Sequence, residues 1–343
     1  MKEKIIVTGG CGYIGSHTVI TLIQHNFEVV ILDNLSNSNL QILDRIEKIT
    51  GVRPHFKQVD LKSAEATQAI FKIHNDAKAV IHFAAHKAVA ESIQNPLMYY
   101  QNNLFSLINT LKAQQDNSIK HHIFSSSATV YGNPSQMPIT EDAPTQRSFS
   151  PYGNTKKMAE EILEDFTNSQ SDISVISLRY FNPIGAHESG QIGEFPTGIP
   201  NNLMPYITQT AAGVREKLMV FGNDYPTQDG SPIRDYIHVV DLAEAHLKAL
   251  QRLLDPKPTQ PLEVFNLGTG KGFSVLEMIK AFETVSGSPL NYEITDRRPG
   301  DVPEMFASTA LAKQVLNWEA SRSLHDMIQS SWTWEQNLRK GLK

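Results

Sequence analysis

The sequence predicts an α/β protein: a doubly wound parallel sheet with a smaller, mixed α/β lobe at its C-terminal end. Three observations support this fold class. Short apolar segments alternate with helical segments through the first half of the 343 residues, a glycine-rich turn follows the first apolar segment, and the pattern becomes irregular near residue 180. Strands that alternate with helices build a parallel sheet with helices on both faces.

Six segments of the first half are predicted as strands, because each is apolar without strict alternation and so suits a sheet that is covered on both faces. The predicted strands are Lys4–Thr8, Glu28–Asp33, His55–Asp60, Ala79–Phe83, His121–Ser125 and Ile173–Leu178. The predicted helices between them are Gly15–His25, Ala64–Ile73, Pro96–Gln115 and Pro151–Thr167.

After Arg179 the strands become short and scattered, and Ala186–Pro200 is rich in glycine and proline. We therefore divide the chain into domains over residues 1–180 and 181–343, with some chain expected to cross back. The predicted strands of the second part are Leu218–Phe221, Tyr236–Val240 and Val264–Leu267. Its predicted helices are Asp241–Leu253, Ser274–Val285, Ala310–Leu316 and Leu324–Leu338.

Composition excludes several classes of protein. The chain has 31 basic and 36 acidic residues, and this balance predicts no broad positive surface for nucleic acid. Its one cysteine, Cys11, cannot form an internal disulfide, and no apolar run approaches the roughly 20 residues that span a bilayer. No cleavable signal precedes the first strand, and no Cys/His cluster or HExxH pattern occurs. We expect a cytoplasmic protein with no membrane partner and no metal.

The turn after the first strand has the spacing G-x-x-G-x-x-G, formed by Gly9, Gly12 and Gly15. Gly9 permits a tight turn, Gly12 lets the backbone approach a pyrophosphate, and Gly15 lets the helix pack close to the strand. Asp33 ends the second strand, 21 residues after Gly12, where a carboxylate can bind a ribose 2′-hydroxyl but repels a 2′-phosphate. These features predict a Rossmann-type domain that binds NAD rather than NADP.

Tyr152 and Lys156 lie four residues apart at the start of a predicted helix, so their side chains share one face of that helix. A nearby ammonium group and an oxidised nicotinamide ring would both lower the pKa of the phenol, which is ordinarily about 10. The phenolate could then remove a hydroxyl proton while hydride leaves the same carbon. Upstream, Ser127 and Thr129 follow a predicted central strand, where ligands bind in open parallel sheets, and could bond the reacting oxygen.

Together these motifs resemble the extended short-chain dehydrogenase/reductase superfamily and, within it, the UDP-glucose 4-epimerase family. The resemblance covers nearly the whole chain. It rests on TGGCGYIGSH (8–17), ILDNLSNS (31–38), VIHFAAHKAVAES (80–92), FSSSATVYG (124–132), SPYGNTK (150–156), LRYFNPIGAH (178–187), GIPNNLMPY (198–206), FGNDYPTQDG (221–230) and RDYIHVVDLA (234–243).

The resemblance implies an NAD-binding first domain and a nucleotide-sugar-binding second lobe. Tyr152 is then the catalytic base and acid, Lys156 is its electrostatic partner and a ligand of the nicotinamide ribose, and Ser127 and Thr129 bond the reacting oxygen of the sugar. The positions that match cofactor contacts, besides the three glycines, are Tyr13, Ile14, Asp33, Asn34, Leu35, Ser36, Asn37, Ser38, Asp60, Leu61, Phe83, Ala84, Ala85, Lys87, Asn102, Tyr152, Lys156 and Phe181.

For the substrate, the resemblance implies UDP-glucose and UDP-galactose, and it implies a homodimer that forms through a four-helix face at residues 96–115 and 151–167. Met305 matches a position where a bulky side chain restricts the sugar and a small one admits N-acetylated sugars; methionine is intermediate. The substrate positions are Ser127, Asn182, Asn202, Leu203, Phe221, Arg234, Arg298, Asp301 and Met305.

Three other functions stay open at the level of sequence. An epimerase could prefer UDP-N-acetylhexosamines. A nucleotide-sugar 4,6-dehydratase would share oxidation at C4, but it needs a further acid and base near Ser127–Tyr131, and no carboxylate pair occurs there. A non-catalytic NAD-binding module could use the same fold without the Tyr-Lys pair.

Overall fold

A computed structural model describes residues 2–169, 172–196, 198–257, 260–298 and 300–341. Its strands are β1 Lys4–Thr8, β2 Glu28–Asp33, β3 His55–Gln58, β4 Ala79–His82, β5 His121–Ser127, β6 Ser174–Tyr180, β7 Asn182–Ile184, β8 Leu218–Phe221, β9 Ile233–His238, β10 Leu262–Leu267, β11 Gly272–Ser274, β12 Tyr292–Thr295 and β13 Glu304–Met305. Its α-helices are α1 Tyr13–Gln24, α2 Ile42–Thr50, α3 Ala64–Ile73, α4 Val89–Gln94, α5 Pro96–Asp116, α6 Pro151–Asn168, α7 Leu203–Ala211, α8 Val239–Leu254, α9 Val275–Ser286, α10 Ala310–Leu316 and α11 Leu324–Arg339.

Seven strands form one parallel sheet in the order β10-β6-β5-β4-β1-β2-β3. The direction of winding reverses between β1 and β4. Open parallel sheets bind ligands at such a switch point, beyond the carboxyl ends of the strands. The doubly wound fold predicted from the sequence is therefore confirmed, and the smaller sheets β11-β9-β13, with β7 on β9, and β12-β8 complete the α/β architecture.

Both faces of the large sheet are buried along its central strands, whereas the edge strand β3 is largely exposed. Burial on both faces explains why the central strands show no alternation of polar and apolar residues. Ile5 and Val7 of β1 pack with Val19 and Leu22 of α1 on one face. On the other face, Ile6 lies in a second cluster with residues of α3. The apolar run of β1 therefore supplies side chains to two cores at once.

Chain from the second half of the sequence returns to the large sheet. Strand β10 pairs with β6 and forms one edge of the large sheet, and α8 packs against α1. The smaller sheets lie apart from it and carry Phe221, Arg234 and Met305. A division into two domains at residue 180 stays a prediction.

Most predicted elements were found within three residues of their predicted bounds, the largest difference being at β9, which begins at Ile233 rather than Tyr236. Two helices, α2 and α4, and the short strands β7, β11, β12 and β13 were not predicted. Helix α7 begins at Leu203, where the proline and asparagines of Ile199–Leu203 indicate a helix start but not its extent. Helices α2 and α4 begin after Gln41 and Ala88, which are not favoured N-cap residues, so the usual sequence signal of a helix start is absent there. Within the described ranges, no helix has the length and apolar character needed to cross a bilayer.

Candidate active site

The glycine turn forms a tight cradle between β1 and α1. Gly9 adopts a positive φ of 68°, and a Cβ there would lie 2.8 Å from the backbone nitrogen of Ala84. At Gly15 a Cβ would collide with the carbonyl oxygen of Gly9 and lie 2.9 Å from Cα of Gly10. Helix α1 begins at Tyr13 without a side-chain cap, so its first amide groups remain to bind an anion. The cradle fits a dinucleotide pyrophosphate.

Asp33, at the end of β2, lies beside this turn. Its carboxylate accepts hydrogen bonds from the backbone nitrogens of Cys11 (3.0 Å) and Leu35 (2.9 Å) and from the Ser38 hydroxyl (3.0 Å). A carboxylate has about four acceptor sites, so one more donor, such as a ribose hydroxyl, can be accommodated. Asp33 therefore fits the ribose of NAD, and its negative charge disfavours a 2′-phosphate.

A cleft of about 840 Å³ extends from the glycine turn to the Tyr-Lys pair. Two predicted cofactor residues do not line this cleft: Leu35 packs against the main core and Phe181 lies in a cluster with Tyr131. The predicted residues that line it are Gly9, Gly12, Tyr13, Ile14, Gly15, Asp33, Asn34, Ser36, Asn37, Ser38, Asp60, Leu61, Phe83, Ala84, Ala85, Lys87, Asn102, Tyr152 and Lys156.

Helix α6 brings Tyr152 and Lys156 to the cleft. Ser150 caps its first turn by accepting a hydrogen bond from the backbone nitrogen of Gly153 (3.1 Å). The Lys156 ammonium donates to the carbonyl oxygen of Ser125 (2.6 Å) and lies 4.9 Å from the centroid of the Phe124 ring. The lysine is therefore fixed against the C-terminal end of β5, whose last residue is Ser127.

The electrostatics of the pair differ in part from expectation. Burial raises the pKa of Tyr152, and it is the hydrogen bond with Ser127, rather than Lys156, that acts to lower it. Burial also lowers the pKa of Lys156 to about 7, although Glu160 acts in the opposite direction. The protein alone thus leaves the phenol in its neutral form, so the phenolate depends on further positive charge or on a bound hydroxyl.

Two hydroxyl groups lie near Tyr152. Ser127 hydrogen-bonds the phenol and accepts from the backbone nitrogen of Thr129 (3.3 Å). The Thr129 hydroxyl is buried and has no hydrogen-bond partner among the described residues. Because an unpaired buried hydroxyl is costly, this group is suited to bind a substrate oxygen.

The predicted nucleotide-sugar residues gather on the small sheets. Arg234 of β9 forms an ion pair with Asp301 (3.0 Å), and the guanidinium of Arg298 stacks on Phe221, 4.0 Å from the ring centroid. Met305 of β13 is the register partner of Arg234. The backbone nitrogen of Asp301 also donates to the carbonyl oxygen of Arg298 (3.3 Å), so these five residues form one cluster. None of them lines the cleft of the glycine turn, and their part in holding a nucleotide sugar stays a prediction.

Two further predicted residues are held by groups that the sequence analysis did not identify. Asn182 donates to the carbonyl oxygen of Asp235 (3.0 Å), and Asn202, directly before Leu203 at the start of α7, donates to Glu194 (2.7 Å). The same Glu194 oxygen accepts from Lys87 (2.9 Å), so one carboxylate joins a predicted cofactor residue to a predicted substrate residue. Glu194 lies outside every motif quoted above, and Asp235 lies within RDYIHVVDLA (234–243) but was given no role there.

No three His, Cys, Asp or Glu side chains within the described ranges are arranged to hold a metal ion. The geometry instead defines a dinucleotide-binding enzyme that has a Tyr-Lys pair at one end of its cleft. The pattern of the NAD dependent epimerase/dehydratase family matches residues 5–268. The chain belongs to this family.

Its relatives narrow the class to UDP-glucose 4-epimerases, in agreement with the resemblance of the motifs. The UDP-glucose 4-epimerase of Bacillus subtilis is 53% identical over 339 residues, covering 99% of this chain and 98% of that protein. The crystal structure of the Stenotrophomonas maltophila enzyme with NAD and formylated UDP-arabinopyranose has a TM-score of 0.95, 46% identity and coverage of 98% and 99%. The Bifidobacterium longum enzyme with NAD⁺ and UDP has a TM-score of 0.94, 43% identity and coverage of 99% and 100%.

Proposed function

We propose that this chain interconverts UDP-glucose and UDP-galactose with NAD as its bound cofactor. The observation that carries the proposal is the position of Tyr152 and Lys156, which line the same cleft as the glycine turn and Asp33. Relatives of about 50% identity over nearly the whole chain are UDP-glucose 4-epimerases, which supports the same activity.

In this proposal, Tyr152 removes the proton of the C4 hydroxyl group and later returns it to the same oxygen. Ser127, which already hydrogen-bonds the phenol, and Thr129, whose hydroxyl lacks a partner among the described residues, hold that oxygen. Bound NAD supplies the chemistry that the chain lacks, by accepting the C4 hydride and returning it to the opposite face of the 4-keto sugar. Lys156 stabilises the phenolate when its amine is protonated.

The site must bind the nucleotide tightly and the hexose loosely, because the hexose must rotate while the nucleotide stays bound. The guanidinium groups of Arg234 and Arg298 suit the diphosphate, since their planar forks match phosphate oxygens. Asn182, Asn202, Leu203, Phe221 and Asp301 complete the set that we assign to the UDP moiety. The hexose is left with few fixed contacts, so the flat 4-keto intermediate can rotate.

Met305 is the residue that we expect to limit the hexose. It packs against the apolar cluster that contains Ala128 and Phe181, so it forms part of the wall beside the Ser127–Thr129 segment. Its side chain is flexible and of intermediate size, and acceptance of UDP-N-acetylhexosamines is a prediction to be tested alongside the main substrate.

A second copy of the chain is the expected partner. Helix α5 exposes Leu97, Met98, Phe105 and Ile108 within about 100° of its circumference, and extended apolar patches are uncommon on monomers. Helix α6 packs alongside α5, so two copies could bury these faces in a four-helix arrangement. The cytoplasmic location expected from the sequence stays a prediction.

A 4,6-dehydratase is not favoured by the residues beside the Tyr-Lys pair. Elimination of water across C5 and C6 needs an acid and a base near the sugar. Between Ser127 and Tyr131 the chain instead has Ala128 and Val130, which are buried in an apolar cluster. Loss of water from the product, detected by mass spectrometry, would support dehydration and contradict epimerisation.

The test uses purified full-length protein with UDP-galactose or UDP-N-acetylgalactosamine and no added NAD. We expect UDP-glucose to form from UDP-galactose, and a Tyr152→Phe variant to lower turnover about 10²- to 10⁴-fold, because it removes the acid–base group. Bound NAD and UDP affinity, measured separately, should stay near the wild-type values. Unchanged turnover in this variant would exclude Tyr152 from the reaction.

A further inference from the structure

One arginine of the cofactor cleft has no role so far. Arg45 lies in α2, one turn after the Asp33–Gln41 segment, and its side chain lines the cleft. Its guanidinium carbon is 5.4 Å from the centroid of the Trp334 ring. Within the described ranges, Arg45 forms no side-chain hydrogen bond and no ion pair.

Trp334 of α11 is a fixed support for this cation. Its ring is only 4% exposed, and its indole nitrogen donates to the carbonyl oxygen of Glu194 (2.9 Å). The ring packs so closely on Gly193 that a Cβ there would lie 2.5 Å from its nearest atom. The Glu194 carboxylate in turn holds Lys87 and Asn202. The stacked guanidinium is therefore anchored to the wall of the cleft.

Several other arginines of the chain, unlike Arg45, are paired with carboxylates. Arg53, close to Arg45 in sequence, pairs with Asp44 and Glu47, and Arg179 and Arg252 each pair with a glutamate. Arg215 and Arg298 resemble Arg45, because each stacks on an aromatic ring and has no carboxylate partner among the described residues. Arg215 differs in that its guanidinium donates to the amide oxygen of Gln209 (2.8 Å). We assign Arg298 to the phosphates of the substrate.

Stacking leaves the edge of a guanidinium group available, and this edge carries the donors that bind phosphate. A partly buried cation without an anion is unfavourable unless a ligand supplies the opposite charge. Burial accordingly lowers the pKa of Arg45. The group expected in this cleft is a dinucleotide, whose pyrophosphate is anionic.

We propose that Arg45, held on Trp334, binds the pyrophosphate of the dinucleotide and slows its release. The proposal rests on the proposed function only in requiring a dinucleotide in this cleft. The pyrophosphate would then be held by two kinds of group from different elements: the Arg45 side chain of α2 and the backbone amides at the start of α1. The cofactor would then stay bound through repeated turnovers.

The first experiment measures how quickly purified full-length protein loses NAD during buffer exchange at 50 and 500 mM salt. We expect Arg45→Gln to lose NAD about 10- to 100-fold faster than wild type, as for loss of a hydrogen bond to a charged group. Arg45→Lys should fall between them, because it keeps the charge and loses the fork. Arg53→Gln, the matched control, should behave as wild type, and NAD loss from Arg45→Gln at the wild-type rate would overturn the proposal.

A second measurement separates a phosphate contact from a general effect on the pocket. Full-length protein depleted of nucleotide is titrated with ADP and with adenosine. Arg45→Gln should weaken ADP binding about tenfold and leave adenosine binding unchanged, because only ADP carries the diphosphate. Equal weakening of both ligands would mean that Arg45 shapes the pocket, contrary to the proposal. Neither measurement uses a sugar nucleotide, so failure of the epimerase assay would leave this result standing.

Discussion

The two halves of the site hold their polar groups in different ways. In the cofactor half, the backbone nitrogens of Cys11 and Leu35 bind Asp33, and backbone atoms pack so closely at the glycine turn that no Cβ fits at Gly9 or Gly15. In the nucleotide-sugar half, Arg234 pairs with Asp301 and Asn202 with Glu194, so side chains bind other side chains. Backbone cradles are rigid, whereas side-chain pairs can exchange partners. The first arrangement suits a resident cofactor, and the second suits a ligand that enters and leaves at every turnover.

The largest effect is expected from Gly15→Ala, which alters the glycine turn in the cofactor half of the site. The added methyl group would collide with backbone atoms of Gly9 and Gly10, which can yield only if the turn opens. Such overpacking costs about 1–3 kcal/mol of stability, and we expect most of the bound NAD to be lost as well. Unfolding in urea and the NAD content of the purified protein measure the two effects.

Gly12→Ala is the matched control, because a Cβ there would meet only the Gly9 carbonyl oxygen, at 3.2 Å. The stability of this variant should lie closer to wild type, with any loss confined to NAD binding. If the two variants were equally destabilised, close packing at Gly15 would not be what holds the turn.

The same contrast explains how much could be predicted from sequence. Strands β1 and β2 and the glycine turn are local patterns, so their bounds and their place at the cleft followed from consecutive residues. The contacts of the second half join distant positions: Glu194 binds Lys87, 107 residues away. Asp235 likewise binds the backbone of Thr269 and Ala307. No periodicity marks such residues, and Arg298 and Asp301 were assigned only through the family resemblance.

An intermediate effect is expected from Arg234→Gln in the nucleotide-sugar half of the site. The variant keeps a hydrogen-bonding side chain but removes the charge that faces Asp301 and, in the proposed function, the diphosphate. Loss of one charge-assisted contact corresponds to about a 10- to 100-fold rise in the KM for UDP-galactose. Bound NAD should be unchanged, since Arg234 lies outside the cofactor cleft. A parallel loss of NAD would show that the two halves are not independent.

The smallest expected effect is on the pH dependence of stability, and it comes from Lys156, where the two halves of the site meet. Burial lowers its folded pKa to about 7, whereas a lysine in the unfolded chain titrates near 10.5. Between these values the unfolded chain binds more protons, so the wild-type stability should rise with pH, by about 1 kcal/mol from pH 7 to 8. Lys156→Met cannot titrate and should lack this contribution, whereas Lys157→Met, a change to the neighbouring lysine that pairs with Glu161, should retain it.

Urea unfolding of the three proteins at pH 7 and pH 8, at matched NAD content, measures the difference. Equal changes with pH in wild type and Lys156→Met would mean that the buried amine keeps its proton through this range. Lys156 would then support the Tyr152 phenolate as a permanent cation. A reduced slope in Lys156→Met alone would mean that the ammonium form costs free energy in the folded chain. The charge that assists Tyr152 would then be retained only when a bound ligand or cofactor offsets the burial, which ties the chemistry to occupancy of both halves.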